Sequence, residues 1–206
     1  ALRKAAAGNP RLETLVDALE ASAERLRRQF ESVRGVVVGV RPVAKQTDLR
    51  AVWHAAYRST TEARAGGRLR LHERVSTDTA CEVDAELMEG VFRNLFENAV
   101  AVCPGEVSVR LSCRDAPVGG RPGLRVVVRD NGPGLTAEKR ARVFKPFYTT
   151  RPGGTGLGLG IARRTVRAHG GELSVADRDG PGAAFVISVP RAPAPVPRPG
   201  TVPNED

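Results

Sequence analysis

Aromatic side chains are scarce: one Trp, two Tyr and six Phe in 206 residues. That is too few to build the stacking platforms on which single-stranded nucleic acid lies. No apolar run approaches the ~20 residues that cross a bilayer as a helix, and the opening Ala1-Leu2-Arg3-Lys4 has no signal-peptide apolar stretch. Cys81, Cys103 and Cys113 are odd in number and lack CxxC or zinc-ligand spacing, which excludes a zinc ribbon and fits a reduced, cytoplasmic compartment. Methionine occurs once, at Met88, so Ala1 is not a natural start and a longer parent is expected. Acidic residues are outnumbered, 23 Asp and Glu against 32 Lys and Arg, a formal charge of +9. The arginines are scattered along the chain with few aromatics between them, so no nucleic-acid partner is expected.

What is present suffices for a core. Hydrophobic residues make up 41% and charged residues 27%, ordinary for a folded domain, and the length accommodates one domain with an appendage. Leu12, Val16, Leu19, Ala23, Leu26, Phe30 and Val33 alternate spacings of four and three, a heptad seam. With Pro10 in the first turn and Asn9 as cap, a helix is expected over about 10–34. A connector over 35–47 contains the β-prone Val36-Val37-Val38. Asp48 opens a helix with Val52, Trp53, Ala56 and Tyr57, and Gly66-Gly67 turns the chain. The alternation over 69–75 predicts a half-buried strand. Over 83–102, Leu87, Val91, Leu95 and Ala99 share a helical face. Strands over 107–113 and 124–128 flank the Gly119-Gly120 turn as an antiparallel pair. A helix over 155–169 stops at Gly170-Gly171, and strands over 173–176 and 184–189 complete the sheet. This order, without a βαβ repeat, predicts an α+β fold: a two-layer α/β sandwich whose mixed, largely antiparallel sheet is covered by helices on one face and preceded by a long amphipathic helix. The expected divisions are 1–45, an amphipathic helix and connector; 46–190, the globular domain; and 191–206, a Pro-rich disordered tail.

The chemistry concentrates in four blocks. Asn94-Leu95-Phe96-Glu97-Asn98-Ala99 places two amides on one helical face, where their oxygens can ligate magnesium, a hard cation that takes further ligands from phosphates. The bland alternative is helix-surface polarity or capping. Asp130-Asn131-Gly132-Pro133-Gly134 sets a carboxylate beside glycines that let the chain pass close to a ligand; by itself it is also a good turn. Val143-Phe144-Lys145-Pro146-Phe147-Tyr148-Thr149-Thr150 precedes Gly154-Thr155-Gly156-Leu157-Gly158-Leu159-Gly160, small residues entering a helix start where free N–H groups favour phosphate. The Lys-Ser/Thr ending of a Walker loop is absent. Gly132 to Ala137 also fits the GxGxxA dinucleotide fingerprint. Against that reading, Asp130 would face the pyrophosphate, and residues 150–160 contain no acid to hold a ribose hydroxyl.

These blocks, in this order, are similar to those of sensor histidine kinases, members of the ATPase superfamily shared with gyrase, the ninety-kilodalton heat-shock chaperone and mismatch-repair ATPases. The Phe147-Tyr148-Thr149-Thr150 version resembles nitrogen-regulation and dicarboxylate sensor kinases. The resemblance covers roughly residues 10–190 and implies a partial dimerisation helix and connector over 1–45, an ATP-binding histidine kinase catalytic domain over 46–190, and ATP and Mg2+ as ligands. It implies that Asp130 accepts from the adenine amino group, with Gly132 and Gly134 beside it; that Asn98 ligates magnesium, with Asn94 sharing the metal or its water shell; and that Thr149, Thr150, Gly154, Thr155, Gly156, Leu157 and Gly158 surround the phosphates. Phe144 and Phe147 would anchor the lid, or simply pack in the core. Gyrase and chaperone branches place a water-activating Glu at the Asn94 position, and asparagine cannot act as that base, so phosphoryl transfer is favoured over hydrolysis. Many relatives place Ser or Thr at the Ala183 position, near adenine.

The implied function is the catalytic part of a histidine kinase, passing phosphate to a histidine and then to an aspartate on a response-regulator receiver domain. The implied parent is a homodimer, cytoplasmic or anchored in the inner membrane. None of His54, His72 and His169 sits in an acceptor motif, so the acceptor is expected upstream, on a dimerisation helix absent from this chain. A non-catalytic ATP-binding scaffold and an anti-sigma-factor serine kinase are the alternatives.

Overall fold

The computed structural model describes residues 9, 12, 14–16, 41–65, 68–103, 105–151, 154–177 and 180–192. Of the expected first helix, Leu12 and residues 14–16 are helical, and the Leu12 N–H donates to Asn9 Oδ1 at 3.4 Å, the expected cap. The rest of that helix, the run Val36 to Val38 and residues 193–206 of the expected tail lie outside the described residues.

A five-stranded sheet is the backbone of the fold. In spatial order it comprises β2 (Leu69–Val75), β4 (Val107–Val118), β5 (Arg121–Arg129), β7 (Ala184–Pro190) and β6 (Glu172–Val175). β2 runs parallel to β4 and the other three pairings are antiparallel. β4 and β5 are longer than the alternation predicts, because they continue to a two-residue turn in which Gly119 and Gly120 have φ of 56° and 74°, the left-handed angles a tight hairpin needs. A separate two-stranded sheet joins β1 (Lys45–Asp48) to β3 (Ala80–Val83). Four residues each, these strands are too short to leave a periodic signal.

The helices α1 (Leu49–Thr60), α2 (Ala85–Val102) and α4 (Gly158–Ala168) cover one face, while α3 (Ala137–Arg142) is a short surface turn of helix. As expected, Asp48 caps α1, its carboxylate accepting from the Arg50 N–H at 2.9 Å. Asp84 caps α2 through the Leu87 N–H at 3.1 Å. Their apolar stripes meet: Trp53 and Phe92 touch edge to face, and Phe92 stacks on Phe96. Below them Val107, Val109 and Leu111 of β4, Leu124 and Val126 of β5 and Ile187 of β7 are all buried. Alternate residues of the same strands point to the other face, which no described helix covers. Among the described residues no helix is long and apolar enough to cross a membrane.

His169 closes the helical layer and is buried. Its Nδ1–H donates to the Thr165 carbonyl at 2.8 Å while Nε2 accepts from the Asp84 N–H at 3.0 Å, tying the end of α4 to the start of α2. Arg191, the first residue of the expected tail, is bound into the fold. Its guanidinium donates to the carbonyls of Ala80 and Asp78 and to Asp115, at 2.6 to 2.7 Å.

Candidate nucleotide-binding site

Asp130 follows β5 directly, and its surroundings are made of backbone. Oδ1 accepts from the N–H of Gly132 at 2.8 Å and of Ala183 at 3.0 Å. The Asp130 N–H donates to the Ala183 carbonyl at 3.0 Å, and the Gly182 N–H to the Gly132 carbonyl at 2.7 Å. The acidic turn is thereby stitched to the loop before β7. The stitching requires glycine. A Cβ on Gly182 would lie 2.1 Å from the Asp130 carbonyl oxygen, and one on Gly134 would lie 2.6 Å from that of Gly180. Both glycines also have left-handed φ, 83° and 81°. With Oδ1 held, Oδ2 accepts from no described residue, the state a carboxylate needs to receive a ligand's amino group. Asp130 also borders a cleft of about 160 Å³ with Ser108, Arg110, Arg129, Asn131 and Pro181.

Asn94 and Asn98 lie one turn apart on α2, both half-buried. The Asn94 side-chain amide donates to the Gly90 carbonyl at 3.0 Å. Its Oδ1 faces the start of α4 closely, for a Cβ on Gly158 would stand 2.6 Å from it. The Asn98 side chain has no hydrogen bond to any described residue, so its amide oxygen is available to a cation. α4 begins at Gly158, later than the expected 155, because Gly156 has φ of 65° and cannot continue a helix. No side chain caps the α4 start, leaving its N–H groups for an anion.

The segment between these parts is folded against itself. The Thr149 hydroxyl accepts from the Arg151 N–H at 3.1 Å, and Thr155 Oγ1 accepts from the Leu157 N–H at 3.4 Å; Thr150 is exposed. A Cβ on Gly154 would meet Thr149 Oγ1 at 2.6 Å, and one on Gly156 would meet the Phe147 carbonyl carbon at 2.4 Å. Leu157 is buried, so any contact it makes with phosphate goes through its N–H. The two phenylalanines separate. Phe144 packs edge to face on Phe185 beneath the Arg163 guanidinium and anchors the segment, whereas Phe147 is 70% exposed with φ of 63°. Phe147 therefore does not anchor the lid here; its left-handed angle turns the ring outward. The dinucleotide-fold reading fails on the sheet: the chain leaves β5 into the six-residue α3, and β5 has antiparallel neighbours.

Three contributors escape sequence reasoning. Asn131 ties the acidic turn to β4, its Oδ1 accepting from the Ser108 N–H at 2.9 Å and its Nδ2 donating to the Glu106 carbonyl at 3.1 Å. The Ala183 N–H holds Asp130, a backbone role without side-chain signature. Cys103 ends α2 against Gly132, 3.1 Å from where a Cβ would stand; burial and then the charge of Asp130 raise its pKa.

Comparison with known proteins decides the family. The sequence profile described as "Histidine kinase-, DNA gyrase B-, and HSP90-like ATPase" matches residues 83–193, which take in all four blocks. The chain belongs to this family. Sensor protein ChvG of Rhizobium meliloti (strain 1021) is 43% identical over 121 residues, covering 51% of this chain and 20% of that protein. Sensor histidine kinase ZraS of Escherichia coli (strain K12) is 27% identical over 180 residues, covering 85% of this chain and 37% of that protein. The crystal structure of full-length ShkA in complex with AMPPNP superposes with a TM-score of 0.74 at 26% identity, covering 92% of this chain and 41% of that one. The chain thus spans about a fifth to two fifths of the length of these proteins. Membership in this ATPase family supports ATP as a ligand of the chain.

Proposed function

We propose that the chain is the ATP-binding catalytic part of a sensor histidine kinase. It holds Mg-ATP so that the γ-phosphoryl group passes to a histidine on a dimerisation helix outside this chain, and then to an aspartate of a response-regulator receiver domain. The observation that carries the reading is Asp130, fixed through Oδ1 by two backbone N–H groups while Oδ2 stays open. An acceptor there selects adenine, whose N6 is a donor, against guanine, which presents a carbonyl oxygen instead. The uncapped start of α4 would receive the phosphates. Asn98, with Asn94 beside it, suits magnesium, whose charge would stabilise the transferring group when bound.

Asparagine at 94 leaves the site without a carboxylate base for water, which favours transfer over hydrolysis. In the transfer a bond forms from an imidazole nitrogen to phosphorus as the bond to the bridging oxygen breaks, and ADP leaves. None of the three histidines is placed to receive it. His54 is engaged by Glu73 at 3.1 Å, His72 lies on the uncovered sheet face and His169 is the buried latch. The work belongs in the cytoplasm, where ATP is, within a homodimeric parent.

The test supplies a dimerisation-helix fragment bearing an acceptor histidine in trans with γ-labelled ATP. Acid-labile label on that histidine, lost with Asp130→Asn in the kinase chain, is the expected result. ATP binding without transfer to a correctly folded acceptor would favour the scaffold reading.

A further inference from the structure

The uncovered face of the sheet is lined with arginine. Arg70 and Arg74 on β2, Arg110 and Arg114 on β4, and Arg125 and Arg129 on β5 all alternate with the buried residues of their strands. Register sets Arg110 opposite Arg129, Arg114 opposite Arg125, and His72 beside Arg110. Like charges directly opposite one another destabilise a sheet, so packing gives no reason for this arrangement and a bound anion does. Among the described strand residues on this face the one acid is Glu172, on β6 at the far edge. Glu106, just before β4, pairs with Arg70 at 3.0 Å. Arg114 and Arg129 donate to carbonyls, which leaves their charge uncompensated.

We propose that this face docks on the headgroup layer of an anionic phospholipid surface. The arginines spread in two dimensions over three neighbouring strands, about 5 Å apart between strands and, four residues apart on each strand, about 13 Å along it. Such an array meets a plane of phosphates rather than a single line of them. Among the described residues no aromatic stands on the face to stack bases, and no helix or ribbon projects from it to enter a duplex groove. None of the exposed large apolar residues lies on it either, so attachment is electrostatic and shallow. Asn94, Asn98 and α4 lie on the opposite, helix-covered side, and docking leaves them open.

The experiment is co-sedimentation of the whole chain with phosphatidylglycerol/phosphatidylcholine vesicles and with pure phosphatidylcholine vesicles, at fixed ionic strength. Each basic group near an anionic surface contributes roughly a fivefold gain. Arg74→Thr with Arg110→Thr and Arg114→Thr is therefore expected to weaken binding about 100-fold. Arg58→Gln with Arg93→Gln and Arg167→Gln, equal in charge but off the face, is expected to cost less than about tenfold. Arg110→Thr alone, expected to lose about fivefold, serves if the triple variant melts early. Equal losses in the two triples, no preference for anionic over neutral vesicles, or tighter binding to duplex DNA than to vesicles in the same buffer would each overturn the proposal.

Discussion

At the scale of single residues, site and scaffold use polar groups in opposite ways. Asn98 has an amide that the fold does not employ, so Asn98→Ala is expected to change stability by no more than about 0.5 kcal/mol. The same change should remove the magnesium dependence of ATP binding, as titrations with and without the metal would show. Glu73 is wholly committed to the scaffold: it accepts from the Trp53 indole and from Arg50 at 3.2 Å, with His54 at 3.1 Å. Burial alone would raise its pKa, but the hydrogen bonds from Trp53 and Arg50 and the charges of His54 and Arg50 outweigh it and hold the group below the ordinary glutamate value. A carboxylate with a depressed folded pKa contributes stability above its unfolded pKa and loses it as pH falls through the folded one. Thermal melts against pH should therefore show wild type losing more stability than Glu73→Gln across the window below the ordinary glutamate value. Equal losses would contradict the assignment.

At the scale of elements, the site is a set of close approaches between pieces distant in sequence. Gly158 opens α4 with no room for a side chain against Asn94. Gly158→Ala is expected to displace the Asn94 side chain and to weaken ATP about tenfold or more, a loss of ~1.4 kcal/mol in titration, whereas Gly90→Ala, on α2 with only the Arg93 guanidinium within 4 Å of its Cβ, should spare affinity. This contact also marks how far the sequence could be read. Helices α1 and α2, with capping Asp48 and Asp84, follow from spacing and cap chemistry, and the β4–β5 hairpin from alternation around Gly119-Gly120. The four site blocks stand out because their residue types have few structural uses in that order. What could not be read is long-range: the pairing of β1 with β3, the parallel β2–β4 pairing, and the Ala183 amide on Asp130, which arises from backbone. The period of two also conceals that arginines scattered along the chain assemble on one face.

At the scale of the whole molecule, Arg191 joins the end of β7 to β3, the loop before it, and β4. Its partner Asp115 is held below the ordinary aspartate range by the Thr77 hydroxyl and then by Arg191. Arg191→Ala is expected to lower the Tm more than Arg125→Ala, which breaks no hydrogen bond to a described residue. Nearby, burial pushes the thiols of Cys81 and Cys113 up to about 11 despite the Arg191 charge. At neutral pH both stay protonated and should resist thiol reagents until the protein unfolds. The molecule thus divides its labour: one sheet face and the helices form the core, the rim between α2, α4 and the acidic turn forms the proposed ligand site, and the other face is basic.

The measurement that bears most directly on Asp130 as the adenine acceptor is calorimetric titration of Mg-ATP into the wild-type chain and into Asp130→Asn, with Mg-GTP as control. Binding that prefers ATP, requires magnesium and falls at least about tenfold in the variant, a loss of ~1.4 kcal/mol or more, is expected. Equal affinity for ATP and GTP, or unchanged affinity in folded Asp130→Asn, would contradict that role.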